Sequence, residues 1–461
     1  MVWQQPPALF PMEEGNELPF NQVTKQGIVV TEVTSTTALV WIRTEQPTLL
    51  DVEVLEVVTP NTGELRENYS ILTSAQHDFI EVVPLRGLVP QTAYAVRVLL
   101  PTEEALTPVA PVAIAKFTTA PLPETDAPVE FVWGGDIGGQ GYCRKPHKGY
   151  EIFDQLRAGS PDFGILLGDL IYGDGRCPSP PNVPGSDFVA TSLKEFRAKH
   201  RYQREDPAFQ KFLASVPIYA MWDDHEARND FSGSTDPLMP SSRQAFLQYW
   251  PIDVSRPQSH RLYRRIHRGA NLDVFFLDTR QYRSSNRQVD GSEKTMLGQE
   301  QLQWLFRALR ESRATWKIIV SSVPLSLQKG GSRQAPANDS WALGRGQTGF
   351  ARERDQIVDL ILTHKIANVV WLSTDVHFAQ AVAYDPNRDG TIDFHEFICG
   401  PLSAKPFNPW LPEASLHPTV LYQEGGFQNF GHIDIQWNSL KVRLIDESGM
   451  VRFHHRVQAQ D

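Results

Sequence analysis

Cysteine is scarce in this chain. Cys143, Cys177 and Cys399 are the only thiols among 461 residues. Three cysteines make no disulfide framework of the kind that staples small secreted domains. No apolar run approaches the length that spans a bilayer. The first residues, Met1-Val2-Trp3-Gln4-Gln5-Pro6-Pro7, carry neither a charged n-region nor an apolar h-region, so no secretory signal is visible. On that reading the protein is cytoplasmic unless a leader was removed. A basic excess is also missing. The formal net charge of −10 argues against a nucleic-acid platform. It still allows a locally positive pocket for an anionic substrate. Internal repeats and low-complexity tracts are absent, and a monomer is expected.

What remains is a globular composition, with 41% hydrophobic residues and room for one small and one large domain. Residues 1–20 are rich in proline and acidic groups and form an N-terminal extension. The stretch 21–121 reads as all β. Thr36 to Thr44 alternates as a half-buried strand, with Trp41 available for a sandwich core. Tyr94, after the turn at Leu88-Val89-Pro90, sits where a tyrosine corner belongs. This stretch resembles a fibronectin type III-like sandwich, with a structural role. A proline-rich linker at 122–128 separates it from an α/β unit at 129–461. There, strands are expected at 129–134, 163–167, 218–222, 272–277, 316–322 and 367–372. Helices are expected at 150–158, at 193–214 with an interruption at Pro207, at 298–309 and at 349–364. Loop-rich insertions at 173–192 and 328–348 read as lids.

The chemistry sits just past the strands. Phe163-Gly164-Ile165-Leu166-Leu167 is a buried strand that Gly168 ends, and Asp169 and Tyr172 follow within one turn. Gly134-Gly135-Asp136, Trp222-Asp223-Asp224-His225-Glu226 and Thr374-Asp375-Val376-His377 close three other strands. If the strands are parallel, these ends share one sheet edge, where α/β folds place their sites. So many carboxylates repel one another unless cations neutralise them. Two metal ions with one bridging carboxylate would do so. Such a pair suits in-line attack on a phosphorus ester by a metal-activated water. A phenolate ligand favours a hard trivalent ion.

The ordered set Asp136-x-Gly138, Gly168-Asp169-x-x-Tyr172, Asp224-His225-Glu226 and Asp375-x-His377 resembles the blocks of calcineurin-like metallophosphoesterases. The blocks Trp222 to Glu226, Leu277-Asp278-Thr279-Arg280, Lys294 to Gly298 and Thr374 to Phe378 resemble the alkaline phosphatase D (PhoD-like) family more closely. That resemblance covers roughly 22–450. It implies a metallophosphoesterase α/β sandwich behind the small β sandwich, and hydrolysis of phosphodiesters, phosphomonoesters or both. It implies that Asp169 bridges two metals. Asp136, Tyr172 and His377 would complete the first, Fe³⁺, and Asp224 and Asp375 would hold the second, Ca²⁺ or another divalent ion such as Mn²⁺. His225 would face the substrate, with Asn229 as a further contact. The family is often secreted.

Two departures stand out. Family members often carry cysteine at position 136, but here the residue is aspartate, as in the purple acid phosphatases that this site also resembles. Cys143 is an alternative thiolate from the following loop. Ser321-Ser322-Val323-Pro324 offers no histidine where many metallophosphoesterases supply one, which favours Ca²⁺ or Mn²⁺ over Zn²⁺. Asp278 and Arg280 fit a structural ion pair as well as a phosphate clamp and stay outside the catalytic set. Arg345 and Arg352 are within reach of an anion from the long loop.

Residues 385–396 match the EF-hand loop, with Asp385, Asn387, Asp389, Asp393 and Glu396 as ligands of a structural Ca²⁺ and Gly390 at the turn. Its flanks read as strands, so the competing reading is a polar hairpin. With the β sandwich, this loop supports the alternative of a non-catalytic calcium-binding adhesion or recognition protein.

Overall fold

The computed structural model describes residues 23–101, 110–252 and 261–460. The expected extension at 1–20 lies outside them. Among the described residues, seven strands, from Ile28–Thr31 to Ala113–Thr118, build the N-terminal β unit. Thr62–Leu72, Leu49–Thr59, Ala93–Leu99 and Ala113–Thr118 form one sheet. Ile28–Thr31, Thr37–Arg43 and Ile80–Arg86 face it across a core that includes Val30, Val40, Ile42, Val54 and Val96. Tyr94 is buried, and its hydroxyl accepts from the Val89 amide at 3.0 Å, as the corner motif requires.

Trp41 does not join that core, which corrects the sequence expectation. Ala38, Val40 and Ile42 point into the sandwich, so the pleat turns Trp41 to the other side. There it packs on Tyr249 (5.7 Å between rings) and on the Arg204 guanidinium (4.4 Å), and its N–H donates to the Gln248 carbonyl at 2.7 Å. The strand is apolar on both faces because a second layer covers its outer face. Thr31 pairs in parallel with Ile218, so this sheet continues into the larger unit as one nine-stranded sheet. A buried Arg264–Glu32 ion pair at 2.6 Å also joins the two units.

Two sheets make up the larger unit. The first holds parallel Val129–Gly134, Phe163–Leu167 and Ile218–Met221, flanked by antiparallel Asn429–Gln436, Ser439–Asp446 and Val451–Gln458. The second holds parallel Leu272–Phe276, Trp316–Val320, Val369–Ser373 and Phe394–Ile398, with Arg264–Arg268, Ala379–Tyr384 and Pro418–Glu424 antiparallel at its margins. Phe131, Leu166 and Met221 meet Val274, Ile318, Val370 and Phe397 in one shared core. Helices Gly298–Glu311 and Ala351–Thr363 cover the other face of the second sheet with Leu302, Leu305, Ile357 and Ile361. That double coverage is why the parallel strands read as continuous apolar runs.

Pro207 divides the expected helix at 193–214 into Leu193–Arg204 and Pro207–Ser215. Asp206 caps the second helix, accepting from the Phe209 amide at 3.1 Å. The helix Met239–Tyr249 and the three C-terminal strands were not anticipated in the sequence. Among the described residues, no helix is long and apolar enough to cross a membrane.

Candidate metal centre

The four acidic strand ends converge. Gly168 makes the turn with φ +83°, and a Cβ there would press on the Asp223 side chain. Asp136, Asp169, Asp375 and His377 all adopt left-handed backbone (φ 64°, 52°, 76° and 61°). Non-glycine residues held this way concentrate at functional sites, where the surroundings enforce them. Here the enforcement is a lattice of main-chain bonds. Asp136 and Ile137 donate their amides to the carbonyls of Gly168 and Asp169, at 3.1 and 2.7 Å. Thr374 Oγ1 donates to the Leu167 carbonyl at 2.6 Å, tying the two sheets together at this edge.

Glu226 is the clamp beneath. Its carboxylate accepts the amides of Asp169 (3.1 Å), Leu170 (2.7 Å) and Asp223 (2.6 Å). Burial pushes its carboxyl up to about 7. The acid in the Asp-His-Glu block therefore shapes two turns and belongs to none of the candidate ligand groups among the described residues.

Asp136, Asp169 and His377 offer ligand atoms within 4.8 Å of one another, and so do Asp169, Asp223, Asp224 and Asp375. Asp169 belongs to both sets. Tyr172 donates to His377 Nε2 at 3.1 Å, and that nitrogen lies 3.6 Å from Asp136 Oδ1. His377 Nδ1 donates to the Lys405 carbonyl at 2.6 Å. This fixes the tautomer and makes Nε2 the acceptor of the Tyr172 hydroxyl, beside Asp136. Burial lowers the His377 imidazole to about 3, so it stays neutral, as a ligand must.

Burial and neighbouring carboxylates raise Asp136 and Asp169 well above the usual range. Burial likewise raises Asp375, against the pull of Lys329. Both oxygens of Asp136, Oδ2 of Asp169 and Oδ2 of Asp375 are buried without a hydrogen-bond partner. Such oxygens cost several kcal/mol each unless something compensates them. Cations would compensate all of them, so the donor set fits the two metals that the sequence implied. It is a set of oxygens plus one imidazole, suited to hard ions.

His225 stands at the rim. Its amide donates to Asp169 Oδ1 at 3.0 Å, and its ring lies 4.2 Å from the Tyr172 ring. Nδ1 donates to Asp174 Oδ1 at 2.6 Å. Burial would lower this imidazole, but Asp224 and Asp174 raise it. Asn229 is exposed beside it, and its amide donates to Asp174 Oδ2 at 2.8 Å. Asp174 was passed over in the sequence, although Gly173-Asp174-Gly175 directly continues the central turn.

Further charged groups lie around the cluster. Arg280, fully buried, grips Asp339 through two bonds of 2.8 Å and Asp223 through Nε. Of the two roles left open for it, the geometry is that of an internal ion pair. Asp278 accepts from Trp222 Nε1 at 2.8 Å. Asp224, Asp230 and Asp339 form another acidic group. Lys329, from the insertion at 328–348, reaches Asp375, Asp339 and Asp224. Arg345 and Arg352 are both exposed, and the Arg352 amide donates to Asp290 at 2.8 Å.

Two sequence expectations change. Cys143 is disulfide-bonded to Cys177, with Cα atoms 5.8 Å apart, so it is no metal thiolate. Glu396 is no calcium ligand. It lies within Phe394–Ile398, and its carboxylate accepts from Leu325 N, Ser373 Oγ and Tyr384 OH at 2.7–2.9 Å. Asp393 is three residues away, so the pleat turns the two to opposite faces. Asp385 and Asp389 accept from amides of their own loop, as in a polar hairpin.

The chain is similar to known phosphatases. The model of the PhoD-like phosphatase family matches residues 131–444. Alkaline phosphatase D of Bacillus subtilis (strain 168) is 27% identical over 331 residues, which span 64% of this chain and 52% of that protein. The chain thus spans about half the length of that curated relative. A solved structure of PhoD superposes with a TM-score of 0.73 at 19% identity, covering 96% of this chain and 93% of the other. Purple acid phosphatase PPD1 from yellow lupin (Lupinus luteus) gives 0.61 at 13% identity, covering 94% and 74%. At those identities the structural likeness speaks for the fold alone: a mixed α/β metallophosphoesterase sandwich behind an all-β N-terminal unit.

Proposed function

The chain belongs to the PhoD-like phosphatase family, and on that premise we propose that it hydrolyses phosphate esters at a binuclear metal centre on the strand-end carboxylates. One observation carries the reading. Asp169 lies in both ligand groups, and buried, unpartnered oxygens surround it. Asp136, Tyr172 and His377 would hold one ion with it. Tyr172 favours Fe³⁺ there, because a phenolate needs a strong charge to offset. Asp224 and Asp375 would hold the other, Ca²⁺ or Mn²⁺. Ions bound there would polarise the phosphoryl oxygens and make a water nucleophilic at neutral pH.

The chain's own residues handle the leaving group. Asp174 fixes His225 through Nδ1, so Nε2 is the atom free to act. A proton held at Nε2 is available to the departing oxygen, which is general-acid catalysis. Asn229, exposed at the same rim, would contact the phosphate. The Cys143–Cys177 bond favours an oxidising compartment, so we place the protein outside the cytoplasm. The alternative, a calcium-binding recognition protein, loses support because Glu396 is engaged inside the sheet.

The test is hydrolysis of a chromogenic phosphodiester and the matching monoester by metal-replete protein. Activity that chelation removes and added ions restore is expected. No hydrolysis of either ester by protein carrying its full metal complement would contradict the proposal.

A further inference from the structure

The carboxylates proposed for the second ion already have a cation among them. Lys329 Nζ contacts Asp375 and lies 3.5 Å from Asp339 and 3.7 Å from Asp224. Its side chain is 18% exposed, against 1% or less for its three partners. An ammonium three carboxylates deep is a large part of what makes this pocket tolerable without a metal.

The lysine is not part of the rigid strand-end frame. It comes from the insertion at 328–348, on a long flexible stem. Gly330 and Gly331 follow at once, both left-handed at φ +82° and +65°. At each, a Cβ would run into the backbone of 335–337. Only glycine fits turns packed this closely, so the backbone beside Lys329 is fixed and its long side chain is the part that can move. The Lys329 main chain is tied within the loop: its amide donates to Asn338 Oδ1 at 3.0 Å, and its carbonyl accepts from the Asp339 amide at 2.8 Å.

Charge and space now meet. A divalent ion bound by Asp224 and Asp375 would share both carboxylates with the ammonium. It also repels that ammonium at contact distance. Resting on the binuclear reading above, we propose that Lys329 and the second metal ion are alternative occupants of the pocket formed by Asp224, Asp339 and Asp375. Lysine fills the pocket in the metal-poor protein. Divalent loading expels it, and the loop loses the ion pairs that tie its start to Asp224 and Asp375. The loop that carries Lys329 therefore reports the metal state of the site. Arg280 stays in both states, because Asp223 and Asp339 hold it without exposure.

The experiment uses iron-loaded full-length protein and titrates Ca²⁺, then Mn²⁺, by calorimetry, with ions per chain counted by elemental analysis. Lys329→Met should bind the added ion about tenfold or more tightly, since it has no ammonium to displace. Amide exchange in the wild type needs no variant: 328–348 should exchange faster once the divalent ion is bound. In Lys329→Met that segment should exchange fast with or without it. Equal or weaker ion binding by a folded Lys329→Met would overturn the lysine's role alone. If neither protein takes up a second ion, the two-metal reading falls with it. A visible iron–phenolate band in both samples shows that the first site was intact.

Discussion

Asp174 Oδ1 lies 2.6 Å from His225 Nδ1, while the other oxygen of Asp174 takes the Asn229 amide. One carboxylate therefore sets the tautomer of the rim histidine and the start of the loop that follows it. If His225 protonates the leaving oxygen, Asp174→Asn should weaken it by misorienting the ring and lowering its basicity. Turnover of an alkyl phosphodiester, whose leaving group needs a proton, should fall about a hundredfold. Turnover of a nitrophenyl diester should fall far less. Equal losses on both substrates would assign Asp174 to folding of the rim alone.

Glu226 makes a different prediction, because it touches no proposed metal. Glu226→Ala leaves three buried amides, of Asp169, Leu170 and Asp223, without an acceptor. Urea unfolding should show a loss of about 3 kcal/mol. Metal content should drop as well, because the variant loosens the turns that carry Asp169 and Asp223. Wild-type stability in this variant would mean that the turns hold without the clamp.

Acid sensitivity should trace partly to His395. It lies in Phe394–Ile398, 5.3 Å from the His455 ring, and burial lowers it to about 4. His455 is lowered too, so the pair resists protonation together. The unfolded chain takes up this proton near pH 6.5, the folded chain only near 4. Stability from His395 is therefore complete above pH 6.5 and is lost as pH falls towards 4. Between pH 7 and 5 the loss should be about 1 kcal/mol after allowance for partial solvent screening. His395→Gln should remove that part of the slope in urea melts at the two pH values. An unchanged slope would show that His395 titrates alike in both states.

How far the sequence reached follows from range. The parallel strands were legible because both faces of each are covered, which leaves uninterrupted apolar runs such as Phe163 to Leu167. Gly168-Asp169 and Trp222 to His225 were legible because each turn sits directly beside its strand. Trp41 was misplaced because an alternating strand shows two faces and does not say which core each one meets. Glu396 fitted a calcium pattern counted along the chain, but the pleat decides its direction. Asp174 and His225 are 51 residues apart, and Lys329 meets Asp375 across 46. Neither contact leaves a local pattern. Three cysteines left the partner of Cys143 undetermined.

Everything in this account turns on Asp169 as the shared carboxylate. The direct test counts metal ions per chain in the wild type and in Asp169→Asn, on the same samples assayed for phosphodiester hydrolysis. The wild type should hold two ions in the strand-end site. Asp169→Asn, folded and with the same melting profile, should hold one or none and lose more than about a hundredfold in activity. An Asp169→Asn protein with two ions and full activity would contradict the binuclear account.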